Sequence, residues 1–535
     1  MSLDWTARRD LGGQLVTSRL FRRWLRNDLE PGVQPSAGGG ATSELKAALA
    51  DTPVDSSAAG TGAPAFGSQW CGHWARNHVE ELSDPAERSS FQRNVEGLTG
   101  GTTGVVITGQ QPGFLGGPLY TLFKIATTIV LARRCREQGR PTVALFWSGD
   151  ADDDLAEALA AMAWDPAAGR LFHSEGRQGR SAPGRRRVPL GDLVVGDYNG
   201  EAARWLESRA AAHPGDPLVA DLAELYQTAV NGRWSWSQLQ RRVLLRTFSG
   251  SGLAIVSGND SALHAAAGPL YRRILTERRE LTELARVRGT ELVDQGYHQQ
   301  VAERSLNRSL FRLQDGQRVP VAEGEQGVDP SLLRPGVMLR SPVQDYLFRP
   351  AAVIVGPGEL AYLRQLDPVM ASLDVPRSPL VPRLFGWLLP DGFDADLLDR
   401  VAAEKSMPDE RLDELARGAG ENATADVQRI LEQELGLSTD RAGSLAEARG
   451  LRWQKGVAAL LRGQARQQIL ASRVQDPPWI FPAGKRQERG LASLAAVALW
   501  GRELIDMLLA AADAHLEYGQ NGDWREFRME VSDPS

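Results

Sequence analysis

Five carboxylates fall within eight positions of the stretch FWSGDADDDLAEA: Asp150, Asp152, Asp153, Asp154 and Glu157. Such a group could hold Mg²⁺ through one or two carboxylates or bind an amine. N-capping of a following helix would occupy one or two of the aspartates, which leaves others for chemistry. A second group lies in TGQQPGFLGGPLYTLFKI. There Gly109, Gly113, Gly116 and Gly117 allow close backbone approach, and Gln110 and Gln111 add two consecutive amides. Tyr120 and Lys124 sit four residues apart, so a helix would present a phenol and an ammonium on one face. A glycine loop between strand and helix suits phosphate or carboxylate. No Lys-Ser or Lys-Thr follows the glycines, and the spacing also fails the dinucleotide fingerprint.

Three further stretches carry candidates. VGPGELAY repeats the glycine turn with Gly356, Gly358 and Glu359, the glutamate being either a helix cap or an anchor for a hydroxyl or amine. LRSPVQDYLF supplies Arg340 and Gln344, with Arg340 as a fork for carboxylate or phosphate, or a partner in an internal ion pair. QGYHQQV offers His298 as acid, base or ligand. No Ser-His-Asp arrangement, HExxH or CxxC occurs, so hydrolase and metalloprotease classes have no positive sign.

The elements that would position these residues are legible as patterns. GVVITG, PTVALFW, GLAIVSG, AAVIVG and SPLVPRL read as buried strands alternating with helices such as GPLYTLFKIATTIVLARRCREQ. That alternation predicts an α/β fold with a doubly wound, parallel sheet over residues 103–390. Its ligand site should lie outside the carboxyl ends of the strands, where the acidic cluster falls. The stretch VAERSLNRSLFRLQDGQRVPVAEG predicts short strands inserted beside the sheet. Residues 1–102 read as a helical region with a Gly/Ala/Ser-rich loop. Residues 391–478 read as a helical arm, with Val427, Leu431 and Leu435, then Trp453, Val457, Leu460 and Leu461, at helical steps. Residues 479–535 read as a final helical segment.

Composition narrows the classes. With 535 residues, a net charge of −6 and ordinary hydrophobic content, the chain has no general attraction for polyanions, so nucleic acid is not expected as a partner. Two cysteines, Cys71 and Cys135, exclude a disulfide framework and a thiolate-rich zinc site. No signal-like or membrane-length apolar run occurs, so a cytoplasmic protein away from the membrane is expected.

In order, TGQQPGFLGGPLYTLFKI, ALFW with its acidic cluster, GYHQQV, LRSPVQDYLF, VGPGELAYLRQL and VPRL make the chain similar to the BshC family of bacillithiol biosynthesis over about Gly104 to Trp387, with GKRQERGL a weaker echo. The resemblance implies a Rossmann-like core with connecting insertions, shaped like the class I aminoacyl-tRNA synthetases, and a coiled-coil arm that makes a homodimer. It implies a ligase joining L-cysteine to the amino group of glucosaminyl-malate, with ATP, alone or with Mg²⁺, activating the carboxylate. In that reading Gly109, Gln110, Gln111, Gly113, Gly117 and Tyr120 hold nucleotide or the malate end. Lys124 and Arg340 stabilise charge, and one of Asp152, Asp153 and Asp154 orients the amine or the ion. Gln344, Gly356, Gly358 and Glu359 complete the binding wall, and Arg383 marks a second surface near the arm. No dedicated metal ligand is assigned. Relatives commonly carry Glu-Asp-His-Asp where this chain has Ala151, Asp152, Asp153 and Asp154, which turns attention to His298. The HIGH signature of the synthetases is also absent, with Tyr120 and Phe123 at the corresponding positions. The alternatives are a catalytically altered relative that binds a nucleotide or metabolite, and a nucleotidyltransferase acting on another small substrate.

Overall fold

A computed structural model of the chain describes residues 5–9, 19–29, 40–50, 74, 85–99, 101–174, 187–297, 301, 303–391, 393, 409–433, 438–443, 446–447, 450, 478–532 and 534. The chain divides into two compact units: Met1–Asp391 with Gln487–Ser535, and Gly392–Arg486. The described parts of 1–102, and the C-terminal residues from Gln487 onward, therefore share a unit with the sheet.

Five parallel strands form the centre of the first unit: β1 (Gly104–Gln110), β2 (Thr142–Ser148), β3 (Leu253–Ser257), β4 (Ala352–Val355) and β5 (Leu380–Pro382). Their order is β5-β4-β1-β2-β3. The β-branched and aromatic content of GVVITGQ and TVALFWS suits strands covered on both faces, and every residue of β2 is buried. Helix α1 (Tyr120–Glu137) lies against β1 and β2, and the long α2 (Gly268–Asp294) comes after β3 in the chain. Thirteen of the eighteen residues of α1 are buried because α5 (Ser493–Gln520) covers its other side. Arg134 pairs with Asp513 across the two helices at 2.8 Å.

Three small sheets accompany this core among the described residues, one of them the antiparallel pair Ala163–Asp165 and Arg170–Phe172. Leu310–Gln314, Gln317–Pro320 and Leu333–Pro335 form an antiparallel insertion. Its hairpin turns at Asp315 and Gly316, both at positive φ, as the twist of a two-residue loop requires. Trp5–Arg9, Arg525–Val531 and Gly386–Pro390 make the third sheet. The reading of 479–535 as wholly helical thus needs correction at Arg525–Val531. A seven-residue segment held between two strands, each more than a hundred residues away in the chain, has no local signal to announce it.

In the second unit Asp409–Gln433 is a 25-residue helix. The expected companion around Trp453 to Leu461 lies outside the described residues. Among the described residues no helix is long and apolar enough to cross a membrane.

Candidate active site

The strand order reverses between β1 and β4. The chain moves outward from β1 through β2 to β3, then returns to the other side of β1 for β4 and β5. In an open α/β sheet this switch point opens a crevice at the carboxyl ends of the strands. A cleft of about 790 Å³ occupies it. Gly109 and Gln110 at the end of β1, Asp152 to Asp154 after β2, Gly356 to Glu359 after β4 and Arg383 after β5 all line it. Gln111, Tyr120 and Lys124 line it as well, and helix α3 (Val337–Phe348) adds Arg340 and Gln344. Thus fourteen of the seventeen residues singled out in the sequence meet in one place, although they come from five segments.

Gly113 and Gly117 do not line the cleft. The glycine loop serves packing: Gly117 O accepts from Ser493 N at 2.7 Å, and Leu119 N donates to Leu491 O at 2.8 Å. A Cβ on Gly116 would lie 2.9 Å from Leu494 Cγ. The loop that looked like an anion cradle is closed from above by the start of α5, and only its Gly109–Gln111 edge reaches the cleft. His298 lies outside the described residues.

Lys124 is 3% exposed, and its three N–H groups all have acceptors: Gly109 O at 2.9 Å, Gln110 Oε1 at 3.3 Å and Glu359 Oε1 at 2.7 Å. Burial lowers the ammonium's pKa, and Glu359 opposes that shift. Glu359 also accepts from Gly356 N at 2.9 Å, closing the capping box of α4 (Pro357–Gln365). This glutamate caps a helix, and its other oxygen ties β4 to β1 through Lys124. The lysine has no N–H left over for a ligand in this arrangement. Gln110 Nε2 donates to Tyr120 Oη at 3.3 Å, and burial first, then Glu157, pushes the phenol up to about 12.

The acidic residues separate by environment. Asp150 is fully buried, accepts from Ser237 and Ser257 at 2.5 and 2.6 Å, and has its pKa raised by burial, so it belongs to the scaffold. Asp154 caps Leu155–Ala158 by accepting from Glu157 N at 3.0 Å. Asp153 and Asp152 face Arg318, at 2.9 and 3.4 Å. The pair read as a holder for Mg²⁺ or an amine is thus shared with a cation of the chain. Among the described residues no three His, Cys, Asp or Glu gather as a metal site.

Sequence reasoning missed Arg187, Arg308, Arg318, Arg377 and Arg489, which also line the cleft. Arginines in loops and hairpins have no spacing signature, and only the fold brings them together. With Lys124, Arg340 and Arg383 they make eight cations against six carboxylates, in a chain whose net charge is −6. Arg383 is buried and matched to Glu488 at 3.0 Å, which joins the second-surface candidate to the weak C-terminal motif. Arg340 makes no ion pair among the described residues. Its pKa is nevertheless raised: burial works against the charge, while Tyr362, its hydrogen-bond partner, and Asp152 favour it. Arg308 and Arg489 likewise make no ion pair among the described residues. Gln111 Nε2 is buried without an acceptor. Asp345, next to Gln344, is 4% exposed, and burial raises its carboxyl to about 6.

Comparison with known proteins identifies the family. The sequence profile for the family described as Bacillithiol biosynthesis BshC, N-terminal Rossmann-like domain, matches residues 76–329 and 325–384. A Koribacter versatilis protein named "Putative cysteine ligase BshC" is 29% identical over 464 residues, 78% of this chain and 84% of that protein. Proteins of the same name from Salinibacter ruber and Bacillus cereus are 30% and 26% identical over 328 and 322 residues. Those two alignments span 56% and 55% of this chain, and 55% and 57% of the relatives' own length.

Proposed function

The chain belongs to the BshC family, and from that premise we propose that it is a ligase that joins the carboxyl of L-cysteine to the amine of glucosaminyl-malate, completing bacillithiol at the expense of ATP. The observation that carries the reading is the cationic excess in the switch-point cleft. A nucleotide and a malate dicarboxylate are both anionic, and a net −6 chain that gathers eight Lys and Arg there concentrates positive potential where both would bind. The volume of about 790 Å³ lies within the range of about 300–1,000 Å³ usual for small-molecule sites.

The residues fit a polyanion. Arg340, Arg308 and Arg489 present guanidinium groups that make no ion pair among the described residues, and such forks suit phosphate and carboxylate. ATP, when bound, supplies the activation that amide formation from a free carboxylate requires. Lys124 acts through structure: it fixes Gly109, Gln110 and Glu359 and so sets the floor on which substrates rest. Gln111 offers an amide donor to a substrate oxygen.

The test is to incubate the full chain with L-cysteine, ATP and glucosaminyl-malate under anaerobic reducing conditions and to look for the thiol product by mass spectrometry. Product dependent on all three supports the reading. Binding of the substrates without product would favour the catalytically altered relative, and pyrophosphate release without cysteine would favour a nucleotidyltransferase.

A further inference from the structure

Arg318 stands on the Gln317–Pro320 strand of the inserted sheet, yet its side chain reaches the loop after β2. It is 5% exposed, its guanidinium lies 4.1 Å over the Phe311 ring, and it donates to Asp153 Oδ1 at 2.9 Å and Asp152 Oδ1 at 3.4 Å. Its backbone N–H donates to Arg187 O at 2.7 Å, and Arg187 in turn faces Asp153 Oδ2 at 3.7 Å. One buried cation therefore spans two adjacent carboxylates and staples the insertion to the sheet's carboxyl edge.

The consequence differs for the three aspartates. Asp154 uses Oδ1 on its helix cap and is otherwise exposed to solvent, with no cation holding it among the described residues, and both oxygens of Asp153 face arginines. Asp152 Oδ1 accepts from Asp153 N at 2.8 Å and faces Arg318. Asp152 Oδ2 has no hydrogen-bond partner among the described residues, on a side chain 32% exposed at the cleft wall. An amine on a ligand in the cleft, as an amino sugar carries, would supply the donor that Asp152 Oδ2 lacks, while Arg318 holds the other oxygen.

We propose that Asp152 is the residue that binds the amine of the acceptor substrate, and that Arg318 is its positioning residue. The proposal rests on the ligase reading, but its test separates the two. The full-length protein is titrated calorimetrically with glucosaminyl-malate and with the des-amino analogue glucosyl-malate. Wild type should prefer the amine, and Asp152→Asn should lose about 10- to 100-fold of that preference, the worth of a hydrogen bond to a charged group. Arg318→Met should lose it too. Arg318→Lys should restore part of it, because an ammonium keeps the charge but cannot fork across two carboxylates. In turnover, KM for the amine substrate should rise while KM for cysteine holds. Undiminished preference in Asp152→Asn overturns the inference alone, and a wild type that binds neither sugar overturns the ligase reading with it. If Arg318→Met raises both KM values equally and Arg318→Lys restores nothing, Arg318 is merely structural and its positioning role is overturned. Asp152→Asn, close to isosteric, decides the case if Arg318→Met fails to fold.

Discussion

The Lys124–Glu359 pair joins the two strands that flank the switch point, and a double-mutant cycle measures how strongly. Glu359→Gln removes the carboxylate but keeps an oxygen that can cap α4, so its main effect is on Lys124. The pair is short, 2.7 Å, and one member is almost fully buried, while the side chain of Glu359 is 25% exposed. Breaking a wholly buried pair costs about 3–5 kcal/mol. Discounted for the exposed partner, the expectation here is about 2 kcal/mol in the single variant, with a coupling to Lys124→Met of about 1–2 kcal/mol. The assay is urea unfolding of the full chain followed by tryptophan fluorescence, using the transition of the sheet-containing unit. A pH series adds a sign. The folded-state pKa of Lys124 is depressed below the unfolded value. Between the two values the unfolded chain binds more protons, so the cost of burying the ammonium falls as pH rises through that window. The Glu359→Gln penalty should shrink over the same window, as the ammonium it leaves behind is neutralised. A coupling below about 0.3 kcal/mol, within the error of additivity, or a penalty unchanged to pH 10.5, would refute the argument that this pair holds the site together.

Other expectations can be checked with standard measurements. Gly117 has φ +76° and ψ −166°, a conformation that side-chain-bearing residues avoid, so Gly117→Ala should cost about 1–3 kcal/mol in thermal unfolding. Affinity for an anionic ligand should hold, because Gly117 does not line the cleft; a selective loss of affinity would restore the cradle reading. Asp345 has its carboxyl raised to about 6, so the folded state binds the extra proton between pH 3.8 and 6 and stability falls as pH rises through that window. Asp345→Asn should therefore gain on wild type by up to about 3 kcal/mol between pH 4 and pH 7, read from unfolding midpoints, and a pH-independent difference would contradict the assignment. Light scattering of the full chain should give twice the monomer mass, and Val427→Glu with Leu431→Glu on the Asp409–Gln433 helix should shift it toward monomer; an unchanged dimer would place the interface elsewhere.

What the sequence made legible was whatever rests on local chemistry. The five buried strands are short β-branched or aromatic runs bounded by turns, so their periodicity was readable, and with them the edge on which Asp152, Gly356 and Arg383 stand. Lys124 and Tyr120 were placed on one helix face by four-residue spacing. The glycines misled because the same freedom serves two ends, closeness to a ligand and closeness to another helix, and only the position of α5, almost four hundred residues later, decides between them. Arg318 was invisible for the same reason: nothing within its hairpin distinguishes it from a solvated arginine.

This division explains the chemistry of the site as well as its detection. Residues that build the floor, Lys124 with Glu359 and Arg383 with Glu488, neutralise one another inside the protein, which is what a buried charge requires if it is not to destabilise the fold. Residues that remain for substrates are those whose charge no ion pair among the described residues cancels: Arg308, Arg340 and Arg489 on the cationic side, and on the other one oxygen of Asp152 together with the exposed Asp154 and Glu157. A site sorted in this way has rigid matched pairs below and unmatched groups above. It suits substrates that carry several negative charges beside their amines, and Asp152, half-buried and held by Arg318, is the acceptor assigned to the amine of the sugar.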